Sequence, residues 1–112
     1  MLRHAVAATM LLALAAPYCC ADDEEALRRY GRHLAQECAA CHRDDGPNGA
    51  IPSLAGRPAA EIEGLLEEFR AGRKTNPVMV SVAKSLDEKQ TAALAAYFAA
   101  LPHPASGAAP PH

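Results

Sequence analysis

The stretch "ECAACHRDDGPNGAIPSLAG" places two thiols and an imidazole, Cys38, Cys41 and His42, at the mouth of a Gly/Pro-rich loop. Zinc, a redox-active thiol pair, a plain disulfide and a covalently attached haem all use such groups. Each needs different companions elsewhere in the chain. A structural zinc site takes four ligands, usually from two separated Cys/His pairs, yet no second pair follows, His33 lies upstream, and His103 and His112 sit around the tail. A thioredoxin-like pair normally follows a strand in a βαβ pattern, and no segment here alternates like a strand. A disulfide is the default for an exported chain, but it leaves His42 without a role.

Cys-x-x-Cys-His is the attachment signature of c-type haem. Residues three apart near a helix end project from one side, so both thiols can reach the two haem vinyl groups. His42 follows directly and would set an imidazole beneath the iron. So short a pattern also arises by chance, so the compartment matters.

The N-terminus predicts export. A basic start, "MLRH", precedes an apolar run of about a dozen residues, then small residues, then the acidic "DDEE", in the order of a secretory leader. The run falls well short of the roughly 20 residues that cross a bilayer, so no stable membrane insertion is expected. Cleavage is expected after Ala21, with Cys19 and Ala21 as the small residues before the cut. Lipid attachment at Cys19 or Cys20 is the alternative, and the preceding Tyr18 fits it poorly. These features divide the chain into a leader, 1–21, a domain, 22–102, and a Pro-rich tail, 103–112, expected to be disordered.

Loss of Arg3 with the leader leaves ten Lys/Arg against thirteen Asp/Glu, a formal charge of −3. The charges are mixed and form no basic stripe, which argues against nucleic acid as a partner. Small domains bury a smaller share of their surface, and here aromatics are only 4% of the chain and Trp is absent. Something other than the side chains should supply apolar bulk.

Periodicity predicts an all-α domain of three main helices with long loops. The first carries Leu27, Tyr30, Leu34 and Cys38 at spacings of three and four, with Gly31 on the same side. The second opens at Pro58, carries Ile62, Leu65, Leu66 and Phe69, and ends near Gly72. Its "EEFRAGRK" charges read as a solvated surface. The third starts at Asp87 with Gln90 three residues on, a capping-box pattern, and carries Leu94, Tyr97, Phe98 and Leu101 before Pro102.

Met79, the single methionine beyond the leader, falls in "TNPVMVSVAKSL" between the second and third helices. A lone methionine is ordinarily core filler. Here Pro77 fixes the backbone just before it, the segment reads as a loop, and the chain since His42 is long enough to reach the opposite haem face. Met79 is therefore the candidate second axial ligand. His33 reads as a surface residue, His103 as exposed, and Tyr97 and Phe98 as packing groups.

In order along the chain, Gly31, "CAACH", "PSLAG", "NPVM" and "LAAYF" resemble the class I cytochrome c family over nearly all of residues 22–102. The resemblance implies a helical fold wrapped around one covalent haem c, with thioethers at Cys38 and Cys41 and axial ligands at His42 and Met79. It further implies that the Pro52 carbonyl accepts the other imidazole N–H, that Leu54 packs on the haem, and that Gly31 faces Tyr97. "IPSLAG", "FRAGRKTNPVM" and "SLDEKQTAALAAYFA" look most similar to the cytochrome subunit of flavocytochrome c sulfide dehydrogenase and to domains of periplasmic diheme cytochromes c. Arg43 departs from the glycine common after the histidine.

The implied function is periplasmic electron transfer, without catalysis of its own, from a sulfide-oxidising flavoprotein donor or toward an oxidase acceptor. Two alternatives remain: a free diffusible carrier serving a terminal oxidase or reductase, and a haem-based ligand sensor, which needs an open iron site.

Overall fold

A computed structural model describes residues 19–42 and 51–104. Most of the expected leader, Arg43 and residues 105–112 of the expected tail lie outside them. Four helices occur in the order α1 (Cys19–Ala39), α2 (Ala59–Arg70), α3 (Pro77–Ser85) and α4 (Glu88–Ala100), and no strand is present among the described residues. The all-α expectation holds, with one helix more than the periodicity announced.

Helix α1 runs through the expected cleavage point, so Cys19, Cys20 and Ala21 form its first residues. Its solvent side is tied by Arg28, which reaches Glu24 at 3.2 Å and Glu25 at 2.9 Å. Such exposed pairs contribute a few tenths of a kcal/mol, roughly 0.2–0.5 each. The other side packs against α4, the most extensive contact among the described helices. The crossing point is Gly31. A Cβ there would lie 1.9 Å from the Ala93 carbonyl oxygen and 2.8 Å from the Tyr97 Cβ, so only glycine lets the two backbones approach.

Helix α4 is started by a complete capping box: Gln90 N–H donates to Asp87 Oδ1 at 2.8 Å, and Asp87 N–H donates to Gln90 Oε1 at 2.9 Å. Along it Thr91, Ala93, Leu94, Ala95 and Phe98 are buried. Beyond its end the chain turns back across the loop that follows residue 51. Gly56 N–H donates to the Phe98 carbonyl at 2.9 Å. Gly56 has φ +73°, and a Cβ on it would meet the His103 backbone at 2.7 Å. The segment expected to be free tail therefore begins as a packed strap over the "SLAG" turn.

Helix α2 buries Ile62 and Leu66 and ends where Gly72 takes φ +79°. Pro58 occupies its N-cap position, one residue before the first turn. Helix α3 is the element that the sequence reading assigned to a loop. Asn76 caps it, with Oδ1 accepting from Val78 N–H at 3.0 Å and Met79 N–H at 3.1 Å, and Pro77 sits in the first turn. The β-branched Val78, Val80 and Val82 disfavour a helix, while this cap and the burial of Ala83 favour it. Met79 is thus the third residue of a helix and not a loop residue.

Among the described residues nine apolar ones are buried, and five of these are alanine: Ala35, Ala55, Ala83, Ala93 and Ala95, beside Ile62, Leu66, Leu94 and Phe98. The protein's own side chains supply little bulk. Among the described residues no helix is long and apolar enough to cross a membrane.

Candidate functional site

The last turn of α1 delivers the first thiol. Cys38 is half-buried and packs against the core formed by Ala35, Ile62, Leu66, Ala83, Leu94, Ala95 and Phe98. Burial, with a smaller contribution from the Glu37 carboxylate, pushes the Cys38 thiol above its usual pKa. A redox-active thiol pair needs the opposite shift, since the thiolate is the nucleophile. The helix then unwinds through a tight turn in which the Cys38 carbonyl accepts from Cys41 N–H at 3.1 Å and from His42 N–H at 2.8 Å. That turn carries Cys41, which is exposed, and His42 directly after it. Cys38 and Cys41 are both free thiols.

His42 is held by the loop that follows. Its Nδ1 lies 2.8 Å from the Pro52 carbonyl oxygen. A carbonyl only accepts, so Nδ1 carries the proton and donates it. In a neutral imidazole this leaves Nε2 with a free lone pair, the arrangement found where histidine binds a metal. The loop is itself braced. Arg57 Nε donates to the Ser53 carbonyl at 3.1 Å while Arg57 Nη1 pairs with Glu61 at 2.8 Å, and Arg57 N–H donates to the Leu54 carbonyl at 3.3 Å. The residue after Pro52 is thereby tied to the start of α2.

Leu54 and Met79 are half-buried and border the same core cluster as Cys38. Three of the residues singled out in the sequence, from three separate segments, thus meet one apolar cluster, and His42 and Pro52 meet each other. His33 and His103 are exposed. Tyr97 and Phe98 make an edge contact, with ring centroids 5.3 Å apart.

Arg70 corrects the reading of α2's charges as uniformly solvated. Its Nη1 pairs with Glu67 at 2.8 Å, Nε donates to the Ala83 carbonyl at 3.3 Å, and Nη2 donates to the Leu86 carbonyl at 3.1 Å and to Thr91 Oγ1 at 3.2 Å. The signal was present in the spacing. Arg70 stands four residues after Leu66 and eight after Ile62, on the buried stripe.

The family described as "Cytochrome C oxidase, cbb3-type, subunit III" matches residues 25–98, more than half of the chain. The chain belongs to this cytochrome c family. It is a monohaem class I cytochrome c, with one Cys-x-x-Cys-His motif. Membership of this family carries with it a covalently bound haem c and electron transfer through that haem.

The chain is similar to the "Thiosulfate dehydrogenase electron acceptor" of Stutzerimonas stutzeri (strain A1501), 34% identical over 101 residues, covering 87% of this chain and 46% of that protein. It is also similar to the "Cytochrome subunit of sulfide dehydrogenase" of Chlorobaculum tepidum, 36% identical over 69 residues, with 61% of this chain and 63% of that protein covered. "Cytochrome c-553" of Helicobacter pylori is 37% identical over 71 residues, covering 61% of this chain and 74% of that protein. The cytochrome spans less than half the length of the thiosulfate dehydrogenase electron acceptors it matches.

The residues present fit a haem c. Two thiols flank one helical turn's end, an imidazole follows with its tautomer set by a carbonyl, and a thioether borders the same alanine-rich core as Cys38.

Proposed function

We propose that this chain is a periplasmic one-electron carrier in which Cys38 and Cys41 hold the haem through thioethers and His42 and Met79 are the axial ligands. When bound, the haem supplies an iron that exchanges single electrons. The hydrogen bond from His42 Nδ1 to Pro52 carries the reading, because it presents Nε2 as a ligand and fixes the ring. Arg57 steadies the peptide beside that carbonyl. Leu54 and Met79, against the core, keep water from the site. His/Met ligation raises the reduction potential relative to bis-His ligation, which suits an acceptor of electrons from a reduced-sulfur donor.

The names of the similar proteins support a dehydrogenase that oxidises sulfide or thiosulfate as the donor, and the resemblance to the cytochrome subunit of flavocytochrome c sulfide dehydrogenase favours a flavoprotein in the sulfide case. Export through the leader 1–21, with cleavage after Ala21, places the carrier beside such a donor. The match to a cytochrome c-553 over most of that protein's length favours a second form of the same function, a free carrier delivering electrons to an oxidase or reductase. Co-purification with a flavin-containing chain distinguishes the subunit from the free carrier.

The test is expression with the cytochrome c maturation machinery. Haem should stay on the chain through acid-acetone extraction, and the oxidised protein should show the weak red charge-transfer band of a methionine-sulfur ligand. Met79→Ala should abolish that band and open the iron to external ligands. Extractable haem would refute the thioethers; a band that survives in Met79→Ala would refute the axial assignment.

A further inference from the structure

We infer that Arg70 is a positioning residue for Met79, pinning the far end of α3 so that the Met79 thioether stays seated against the core. The inference rests on the reading of Met79 as an axial ligand. Helix α3 has only nine residues, too few to be stable alone, and its backbone approaches α2 and no other described helix. Its N-terminal end is held by Asn76, whose Oδ1 accepts directly from Met79 N–H. At its C-terminal end the Ala83 carbonyl accepts from the N–H of the C-cap residue Leu86 at 3.4 Å, and Arg70 adds a second donor to Ala83 and one to the Leu86 carbonyl.

The same guanidinium donates to the buried Thr91 on α4 and is itself held by Glu67 on α2. One planar group therefore joins α2, the end of α3 and α4, and adds a side-chain tie to the two-residue link, Leu86–Asp87, by which α3 leads into α4. Its positive charge also lies where the helix dipole of α3 is negative. Lysine gathers its donors on one ammonium nitrogen and cannot reproduce the planar fork, whose separate nitrogens reach Glu67, Ala83, Leu86 and Thr91 together. Without the fork α3 keeps its contact with α2 but loses its fixed angle to the core that Met79 borders. Met79 then leaves its place more often, with the helices otherwise intact.

The experiment is imidazole titration of the ferric, haem-loaded full chain, well below its unfolding temperature. Imidazole binds when the sulfur ligand is off, so its apparent affinity scales with the fraction of molecules in that state. Arg70→Gln should bind imidazole about tenfold more tightly than the unsubstituted protein, with Arg70→Lys in between. Where Met79→Ala has already opened the position, adding Arg70→Gln should change the affinity by less than about twofold.

An Arg70→Gln affinity equal to that of the unsubstituted protein would overturn the pin. Equal tightening in the Met79→Ala background would overturn it too, since Arg70 would then act on the site at large. Should Arg70→Gln not accumulate as folded protein, Arg70→Lys is read in both backgrounds by the same criteria. Absence of the methionine-sulfur band from the unsubstituted protein would instead remove the Met79 assignment, and the inference with it.

Discussion

At Gly31 one hydrogen atom decides whether two helices can cross. The Ala93 carbonyl is part of α4's backbone and cannot swing aside, so a methyl group 1.9 Å from it forces α1 and α4 apart. Gly31→Ala is expected to destabilise the protein by about 3 kcal/mol, the upper range for overpacking. In thermal unfolding of a domain this size that is a fall of roughly 12–24 °C. A fall of only a few degrees would mean that the crossing is not tight. Gly56→Ala meets the His103 backbone and a left-handed φ together. It should shift the "SLAG" turn, and with it the Pro52 carbonyl, so its effect should include the haem spectrum and not only the melting temperature.

At the scale of elements, two helices carry comparable caps with unequal consequences. Asn76 and Asp87 each satisfy N-terminal amides, and replacing either by Ala should cost about 1 kcal/mol in denaturant or thermal unfolding. Asn76 is bonded to Met79 N–H itself, whereas Asp87 starts a helix whose buried face serves the crossing with α1. Asn76→Ala should therefore also weaken the methionine-sulfur band, and Asp87→Ala should leave it unchanged at equal loss of stability. Matched band intensities in the two variants would show that the Asn76 cap does not position Met79. Arg57 and Arg70 have parallel roles in this scheme: one braces the segment next to Pro52, the other the end of α3.

For the whole molecule, the alanine-rich core sets the dependence on the cofactor. With alanine at five of nine buried apolar positions, the described helices bury little large apolar surface, and small domains of this kind usually need added support. The Cys38→Ser/Cys41→Ser chain, which cannot form thioethers, should retain helical far-UV dichroism but lose near-UV signal and cooperative melting when haem is absent. These are the marks of a chain with secondary structure and no fixed packing. A sharp transition at the melting temperature of the haem-loaded protein would show that the side chains alone suffice.

The sequence by itself determined the chemistry and most of the helices, because both are local. Cys38, Cys41 and His42 are adjacent in the chain, the capping box of α4 spans four residues, and the apolar stripes of α1, α2 and α4 repeat within a few turns. It also made the glycine at position 31 conspicuous, and the family resemblance supplied its neighbour, Tyr97 on α4, which the close approach at Gly31 bears out. Only the tertiary structure decided what depends on groups distant in the chain. Helix α3 was hidden because three β-branched valines mask a helix that is held by Asn76 at one end and by Arg70 at the other. Arg70 reads as a surface charge because its acceptors beyond α2, Ala83, Leu86 and Thr91, lie 13 to 21 residues further on. The strap of residues around His103 over Gly56 lay hidden for the same reason, since local pattern records which groups seek burial and not which backbone will cover them.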